Sequence, residues 1–177
     1  LLDEGCPFHR LSAHFRAVVH QEFGALLADL KQSGATNLTW DAFFAAGNRM
    51  VRQILLGGGA RDDETLTEHL NKLRSAGNWA FLHPGRKKLR HDFHQRLQAH
   101  VDRADPASLA GLATQTPGHA RTPVADQFTH YMFAFDPGGM TTFRALALLA
   151  AHPHTMRDLR AQLAEGEDHA GPLLRAT

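Results

Sequence analysis

Two adjacent threonines follow a break in the longest apolar helical pattern of the chain. In residues 133–153, a Pro-Gly-Gly sequence precedes Thr141 and Thr142 by one position. A proline inside a helix costs roughly 3 kcal/mol, and each glycine costs about 1 kcal/mol relative to alanine. The break predicts that a ligand approaches the backbone at Gly138 and Gly139. It also predicts that a hydroxyl one turn further on bonds a freed carbonyl or a small ligand.

The order of residues in this segment, Gly138, Gly139, Met140, Thr141 and Thr142, is followed by an apolar run that ends in His152-Pro153. It resembles the central helix of the cytochrome P-450 heme-thiolate monooxygenases, whose pattern is Ala/Gly-Gly-x-Asp/Glu-Thr followed by an apolar run ending in His-Pro. The flanking helices agree in order, from a basic helix near the start to residues 171–177. The resemblance covers essentially the whole chain but only the central third of a usual family member.

The resemblance implies a cysteine thiolate ligand that this sequence does not supply. In the family, the thiolate lies in a glycine-rich loop after a helix with a Glu-x-x-Arg pair, and Thr177 falls about where that helix should start. Cys6, the single cysteine, is not preceded by such a loop and is interpreted as a free thiol. Because the sequence also lacks an initial methionine, we expect residues 1–177 to be one helical segment of a cytochrome P-450-like domain, without its N-terminal part and its C-terminal heme-ligand part.

The resemblance implies that Thr142 takes part in catalysis and makes Thr141 the second catalytic candidate. A monooxygenase must deliver two protons to dioxygen before the O–O bond breaks, and a hydroxyl in a kinked helix can position the water that carries them. The alternative is that the Thr142 hydroxyl bonds a carbonyl one turn earlier and stabilises the kink. Thr141 stands where the family usually has Asp or Glu, so the usual proton route lacks its acid. Asp136 lies five positions earlier and points to a different face of the helix.

The resemblance also implies binding roles for five other residues. Gly138 and Gly139 would let the flat macrocycle approach the backbone, and the alternative is helix flexibility or close packing of a neighbouring helix. Ala134, one turn earlier, would line the substrate pocket. Arg16 would bind a heme propionate with two parallel hydrogen bonds, with Ser12 as its partner residue, although an ordinary solvated arginine is an equal alternative.

The composition is that of a globular protein. Hydrophobic residues make up 43% of the 177, charged residues 21%, and the formal net charge is +1. This balance argues against a nucleic-acid or anionic membrane partner. One cysteine permits no internal disulfide, and no apolar run approaches the roughly 18 residues that span a bilayer. Within the family, these features favour the soluble bacterial type in the cytoplasm.

The apolar pattern predicts an all-α fold of helices joined by short turns. In the family such helices form part of a larger helical fold around a long kinked central helix. We expect Thr39 to cap the second helix and Asp62 or Asp63 to begin the third. The predicted helices span about 9–31, 40–56, 64–76, 86–103, 105–114, 124–151 and 153–164, with a last fragment from about 172. The apolar face of the first helix is predicted to contain Phe15, Val18, Val19, Phe23, Leu26, Leu27 and Leu30.

Two other patterns are weaker. His91 and His94 have the spacing of two metal ligands, but no third or fourth ligand lies at a recognisable spacing, so no metal site is assigned to this chain. The basic helix near 86–103 is interrupted by two aspartates and is interpreted as a solvated face.

The leading hypothesis is the central part of a heme-thiolate monooxygenase. The complete enzyme would bind heme b, receive electrons from a ferredoxin-like partner, and insert one oxygen atom from O2 into an apolar organic substrate. Residues 66–103, with a loop at Trp79, would match its mobile lid in position. These 177 residues alone are expected to be inactive. The alternative is a non-catalytic helical module that binds a small molecule without heme.

Overall fold

The computed structural model describes residues 11–78, 86–115 and 123–164, and no strand occurs among them. The helices are α1 (Ser12–Gln32), α2 (Trp40–Leu56), α3 (Glu64–Asn78), α4 (Lys87–Asp102), α5 (Leu109–Gln115), α6 (Val124–Ala151) and α7 (Pro153–Ala164), with a short 3-10 helix at Gly58–Ala60. The all-α prediction is confirmed. Cys6, the Trp79 loop and the predicted fragment from about 172 lie outside the described residues.

The chain divides into two compact units, Leu1–Phe135 and Asp136–Thr177. The boundary falls inside α6, which begins in the first unit and ends in the second. The helix includes Pro137 and is continuous on both sides of it. The predicted kink at this proline stays a prediction.

Most helix boundaries follow the sequence pattern, and two differ. The structure reproduces the predicted bounds of α2, α6 and α7. The third helix, predicted to end at about residue 76, continues to Asn78. The helix predicted from residue 105 begins at Leu109, because the Asp105 carboxylate binds the Ala107 N–H at 2.9 Å and the Asp105 carbonyl accepts from the Ser108 hydroxyl at 2.7 Å, which forms a turn.

Side-chain caps begin α2 and α3 as the sequence predicts. The Thr39 hydroxyl accepts a hydrogen bond from the Ala42 N–H at 3.3 Å. Of the two aspartates considered for α3, Asp63 makes the capping contact, and its carboxylate accepts from the Leu66 N–H at 3.2 Å. Each oxygen satisfies an amide that has no partner within its own helix.

The main core of the first unit is formed by apolar side chains from α2 to α6. Leu55, Leu66, Leu97 and Phe128 are among its fully buried members. Burial of such a side chain contributes about 1.5–3 kcal/mol. The whole cluster comprises Val51, Leu55, Leu56, Ala60, Leu66, Leu70, Phe93, Leu97, Val101, Ala110, Ala125, Phe128 and Met132.

Helix α1 packs on α2 through a separate and smaller cluster. Phe15 and Val18 of α1 are buried there against Ile54. The apolar face predicted for α1 is wrong at two positions, since Val19 is 36% exposed and Leu27 is 55% exposed. Both residues have helical spacing with the buried ones, but α2 covers only part of the apolar face predicted for α1. The contact includes Glu22, which is completely buried.

A glycine turn connects α2 to the following segment. Gly57 has φ +95°, a conformation that residues with a side chain rarely adopt. A Cβ at this position would collide with the side chain of Asp105. The Asp105 carboxylate accepts a hydrogen bond from the Gly58 N–H at 3.1 Å, so it joins this turn to the segment before α5.

The buried Arg52 side chain fixes the same turn from the α2 side. Its guanidinium donates to the carbonyl of Ala60 at 3.1 Å, to the carbonyl of Arg61 at 2.9 Å and 2.6 Å, and to the Thr67 hydroxyl at 2.6 Å. Two carbonyls at the end of the 3-10 helix thereby receive charged donors.

The second unit contains the last part of α6 and α7, with Leu159 buried. Met140, Leu146, Leu148 and Leu163 are exposed there. Helix α6 ends at Ala151 and α7 begins at Pro153, as predicted, with His152 between them. Among the described helices, none combines the length and hydrophobicity needed to cross a membrane.

Candidate functional site

The glycine segment of α6 exposes backbone without side chains. A methyl group built on Gly138 or on Gly139 would meet no atom within 4 Å. Gly138 is exposed, and Gly139 is partly buried. The alternative reading of these glycines, close packing of another helix, therefore finds no support among the described residues. The surface there can admit a ligand next to the main chain.

The Thr142 hydroxyl donates to the Gly138 carbonyl at 2.9 Å. This is the structural role that the sequence left open as the alternative to proton delivery. A hydroxyl has one donor and two acceptor lone pairs, so Thr142 still accepts a hydrogen bond from a water or ligand. Thr129, in the same helix, bonds the Ala125 carbonyl in the same way at 3.4 Å. The pattern at Thr142 is therefore not by itself specific to a site.

The other predicted residues of α6 lie within two turns of this hydrogen bond. Thr141, which stands where the family usually has an acid, is exposed and carries no ionisable group. Ala134 is exposed and lies four positions before Gly138 in the same helix. Asp136, the nearest acid, is partly buried and has an interaction partner of its own.

Arg16 and Ser12 both lie in α1 and are exposed. They are four positions apart, so they share one face of the helix. They belong to the first unit, whereas Gly138, Gly139, Thr141 and Thr142 belong to the second. Their joint participation in one binding site stays a prediction.

Sequence reasoning missed a buried polar network centred on Glu22. Its carboxylate accepts from Arg49 Nε at 2.8 Å, from Gln53 Nε2 at 2.7 Å, and from Arg61 Nε at 2.6 Å and Nη2 at 3.1 Å. Arg49 is 24% exposed and Arg61 is 33% exposed, while Glu22 is buried. The available signal was the position of Glu22, which follows Phe15 and Val18 at helical spacing on the buried face.

The environment of Glu22 keeps its carboxylate ionised. Burial alone raises the pKa of Glu22, but hydrogen bonds from Arg61, Arg49 and Gln53 outweigh it and hold the pKa below its ordinary value. A buried charge with four hydrogen bonds is electrostatically satisfied. Each of the two carboxylate oxygens of Glu22 accepts two of these hydrogen bonds.

A second polar cluster joins the start of α3 to α4. Asp63 accepts from Arg96 Nε at 2.7 Å and 2.8 Å, and it lies 2.7 Å from Nε2 of the buried His100. Burial raises the pKa of Asp63, but hydrogen bonds from His100, Arg96 and the Leu66 N–H bring it below its ordinary value. The other His100 ring nitrogen, Nδ1, is buried without a partner in the described structure.

The start of α4 is strongly basic. An open depression of about 660 Å³ is lined by Lys72, Arg86, Lys87, Lys88, Leu89 and Asp92. Lys88 pairs with Asp92 at 2.6 Å, and this hydrogen bond lowers the pKa of Asp92. His94, one of the two histidines with metal-ligand spacing, instead lies 3.2 Å from the Asp126 carboxylate. The depression is wide and solvated, as the interpretation of a solvated basic face expects.

Comparisons with family models, curated proteins and solved structures find no significant match to this chain. The site is therefore judged on its own residues. The bare backbone at Gly138 and Gly139 fits the close approach of a flat macrocycle, and the exposed Arg16 guanidinium fits a carboxylate. The described residues contain no group of three His, Cys, Asp or Glu side chains that could hold a metal ion.

Proposed function

We propose that this chain is part of a heme-thiolate monooxygenase of the cytochrome P-450 type. The observation that carries the proposal is the combination in α6 of bare backbone at Gly138 and Gly139 with the Thr142 hydroxyl bound to the Gly138 carbonyl at 2.9 Å. Pro137 immediately before them removes one helical donor. The two uncovered glycines and the Thr142 hydroxyl stand at the positions that the family pattern gives them, whereas Thr141 replaces its acid.

The proposed reaction converts R–H, O2, two electrons and two protons into R–OH and water. Heme b, when bound, supplies the activation of O2, and a ferredoxin-like partner supplies the electrons. Gly138 and Gly139 admit the macrocycle, and Ala134 lines the pocket for an apolar substrate. The Thr142 oxygen accepts a hydrogen bond from the water that carries the protons. Arg16, with Ser12, binds a carboxylate of the macrocycle.

A non-catalytic helical binding module is the second candidate, and two observations favour it. The Thr142 proton is already donated to Gly138, and Thr141 has no ionisable group. Such a module would keep the uncovered backbone of α6 as a small-molecule surface without heme.

Absorbance spectroscopy on the complete polypeptide that contains this chain separates the two candidates. The protein is expressed with adequate iron, reduced and exposed to carbon monoxide. A Soret band at the position of thiolate-ligated heme supports the monooxygenase. Absence of heme absorbance contradicts it, and binding of an apolar ligand by that heme-free protein supports the second candidate.

The role of Thr142 is tested by substitution with a matched control in the same helix. Thr142→Ala is expected to lower the ratio of product formed to electrons consumed about tenfold or more, because positioned proton transfer contributes at least this much. Thr142→Ser keeps the hydroxyl and should retain most of the coupling. Thr129→Ala removes the equivalent carbonyl bond elsewhere and should leave coupling unchanged. Unchanged coupling in Thr142→Ala would remove this residue from the proton route.

A further inference from the structure

Helix α1 is attached to the first unit outside its main apolar core. The buried members of that core come from α2 to α6 and from Ala60 in the 3-10 helix, as far as the chain is described. The apolar contacts of α1 are the smaller cluster of Phe15, Val18 and Ile54 and the pair of Phe23 and Phe43, whose ring centroids lie 5.3 Å apart. Because apolar contacts are not directional, these contacts fix the distance of α1 from α2 better than its register.

The Glu22 network supplies the direction that these apolar contacts lack. Its donors are Arg49 and Gln53 of α2 and Arg61 of the segment before α3, so one carboxylate of α1 is bound from two sides. Charge-assisted hydrogen bonds depend strongly on geometry. A slide of α1 by one residue, about 1.5 Å, or a rotation by about 100° would break them.

The face of α1 that the network orients outward carries Ser12 and Arg16. At 3.6 residues per turn, Arg16 is rotated by about 120° from Glu22 around the helix axis. Both Ser12 and Arg16 are exposed, whereas Glu22 is buried. The direction in which the Arg16 guanidinium leaves the surface is thus set by a contact on another face of the same helix.

We propose that Glu22 is a positioning residue that fixes the register and rotation of α1 and thereby presents Arg16 to the carboxylate of a ligand. The ligand half of this inference rests on the proposed function, in which the carboxylate is a heme propionate. The anchoring half rests on the Glu22 contacts alone. A residue that acts in this way affects recognition of the carboxylate and not of the rest of the ligand.

Hydrogen exchange tests the anchoring in the complete polypeptide without ligand. Glu22→Gln keeps the size of the side chain but turns an NH2 group toward donors, so amide exchange in α1 should rise about tenfold, while exchange in α4 stays unchanged. Arg49→Met, which removes one donor, should give a smaller rise confined to the same helix. Unchanged α1 exchange in both variants, or an equal rise in α1 and α4, would overturn the anchoring.

Ligand titration tests the presentation of Arg16, with hemin and its dimethyl ester as probes. Glu22→Gln and Arg16→Ala should each weaken hemin binding, and the double variant should bind about as weakly as Arg16→Ala alone, because coupled residues are not additive. Neither substitution should affect the ester, which has no free propionate. Equal weakening of hemin and ester would show general damage and overturn the proposal.

The anchoring of α1 and the presentation of Arg16 to a ligand can be contradicted independently. If the unsubstituted polypeptide binds no hemin, both the proposed function and the presentation of Arg16 to a porphyrin are contradicted, and the exchange data still judge the anchoring. If hemin binds but α1 exchange is insensitive to Glu22→Gln, the positioning role fails while the proposed function stands.

Discussion

The α1 layer and the main core of the first unit are held together by different physical means. In the core, side chains such as Leu66, Leu97 and Phe128 are buried among other apolar groups. In the α1 layer, apolar contacts are combined with a buried carboxylate that is bound by charged donors. Apolar burial contributes more stability and depends little on pH, whereas the carboxylate network contributes direction and depends on ionisation.

The largest expected effect on stability comes from a substitution in the main core. Phe128→Ala should lower the free energy of unfolding by about 3–5 kcal/mol, because it removes a buried aromatic ring and leaves a cavity. Phe135→Ala in the same helix, where the ring is 37% exposed, is the control and should cost much less. Urea unfolding measures both. Similar losses for the two variants would contradict the described core.

Removing the Glu22 carboxylate from α1 should lower the free energy of unfolding by a smaller amount. Glu22→Ala is expected to lower the free energy of unfolding by about 1.5–3 kcal/mol, the contribution of hydrogen bonds to a charged group. Arg49 and Arg61 are partly exposed, so water solvates them once the carboxylate is gone. The measurement is urea unfolding followed by far-UV circular dichroism. A loss as large as that of Phe128→Ala would show that α1 belongs to the core.

Acidification should weaken the Glu22 network, and the Asp63 cluster as well, without a mutation. The pKa of Glu22 and the pKa of Asp63 are both below their ordinary values of 4.5 and 3.8 in the folded chain. Each carboxylate therefore stabilises the fold above its unfolded pKa, and this contribution is lost as the pH falls below about 4.5 through the folded pKa values. Glu22→Gln and Asp63→Asn should each flatten the acid limb of stability against pH. An unchanged acid limb in both variants would contradict the ionised networks.

The smallest effect concerns the cap of α2, the helix that contributes to both regions. Thr39→Ala should lower the free energy of unfolding by about 1 kcal/mol, because the Ala42 N–H loses its acceptor. Thr39→Ser keeps the hydroxyl and should be close to neutral. Thermal unfolding of the two variants provides the comparison, and equal losses would show that the cap hydrogen bond contributes nothing.

Local signals predicted most of the helices, and distance in sequence limited the rest. Apolar spacing and the flanking residues placed α2, α6 and α7, and the Thr39 cap followed from residue type. Glu22 was missed because a charged residue within a helix is normally solvated, and its partners lie 27, 31 and 39 positions away. No local pattern encodes such pairings.

The same limit applies to the candidate site. The Thr142 bond to Gly138 spans four residues and was foreseen as one of two alternatives. The contact between Asp63 and His100 spans 37 residues and was not foreseen. The roles of Arg16 and Ser12 came from resemblance, and they remain predictions.

The Glu22 network also has a consequence for the order in which the protein is assembled during translation. All its members, up to Arg61, are synthesised before residue 62 is added. The apolar cluster cannot be completed until Ala125, Phe128 and Met132 have emerged. Pairing of the first two helices can therefore precede core formation on a nascent chain, and the carboxylate keeps the early pair in the correct alignment while the remaining helices are still being synthesised.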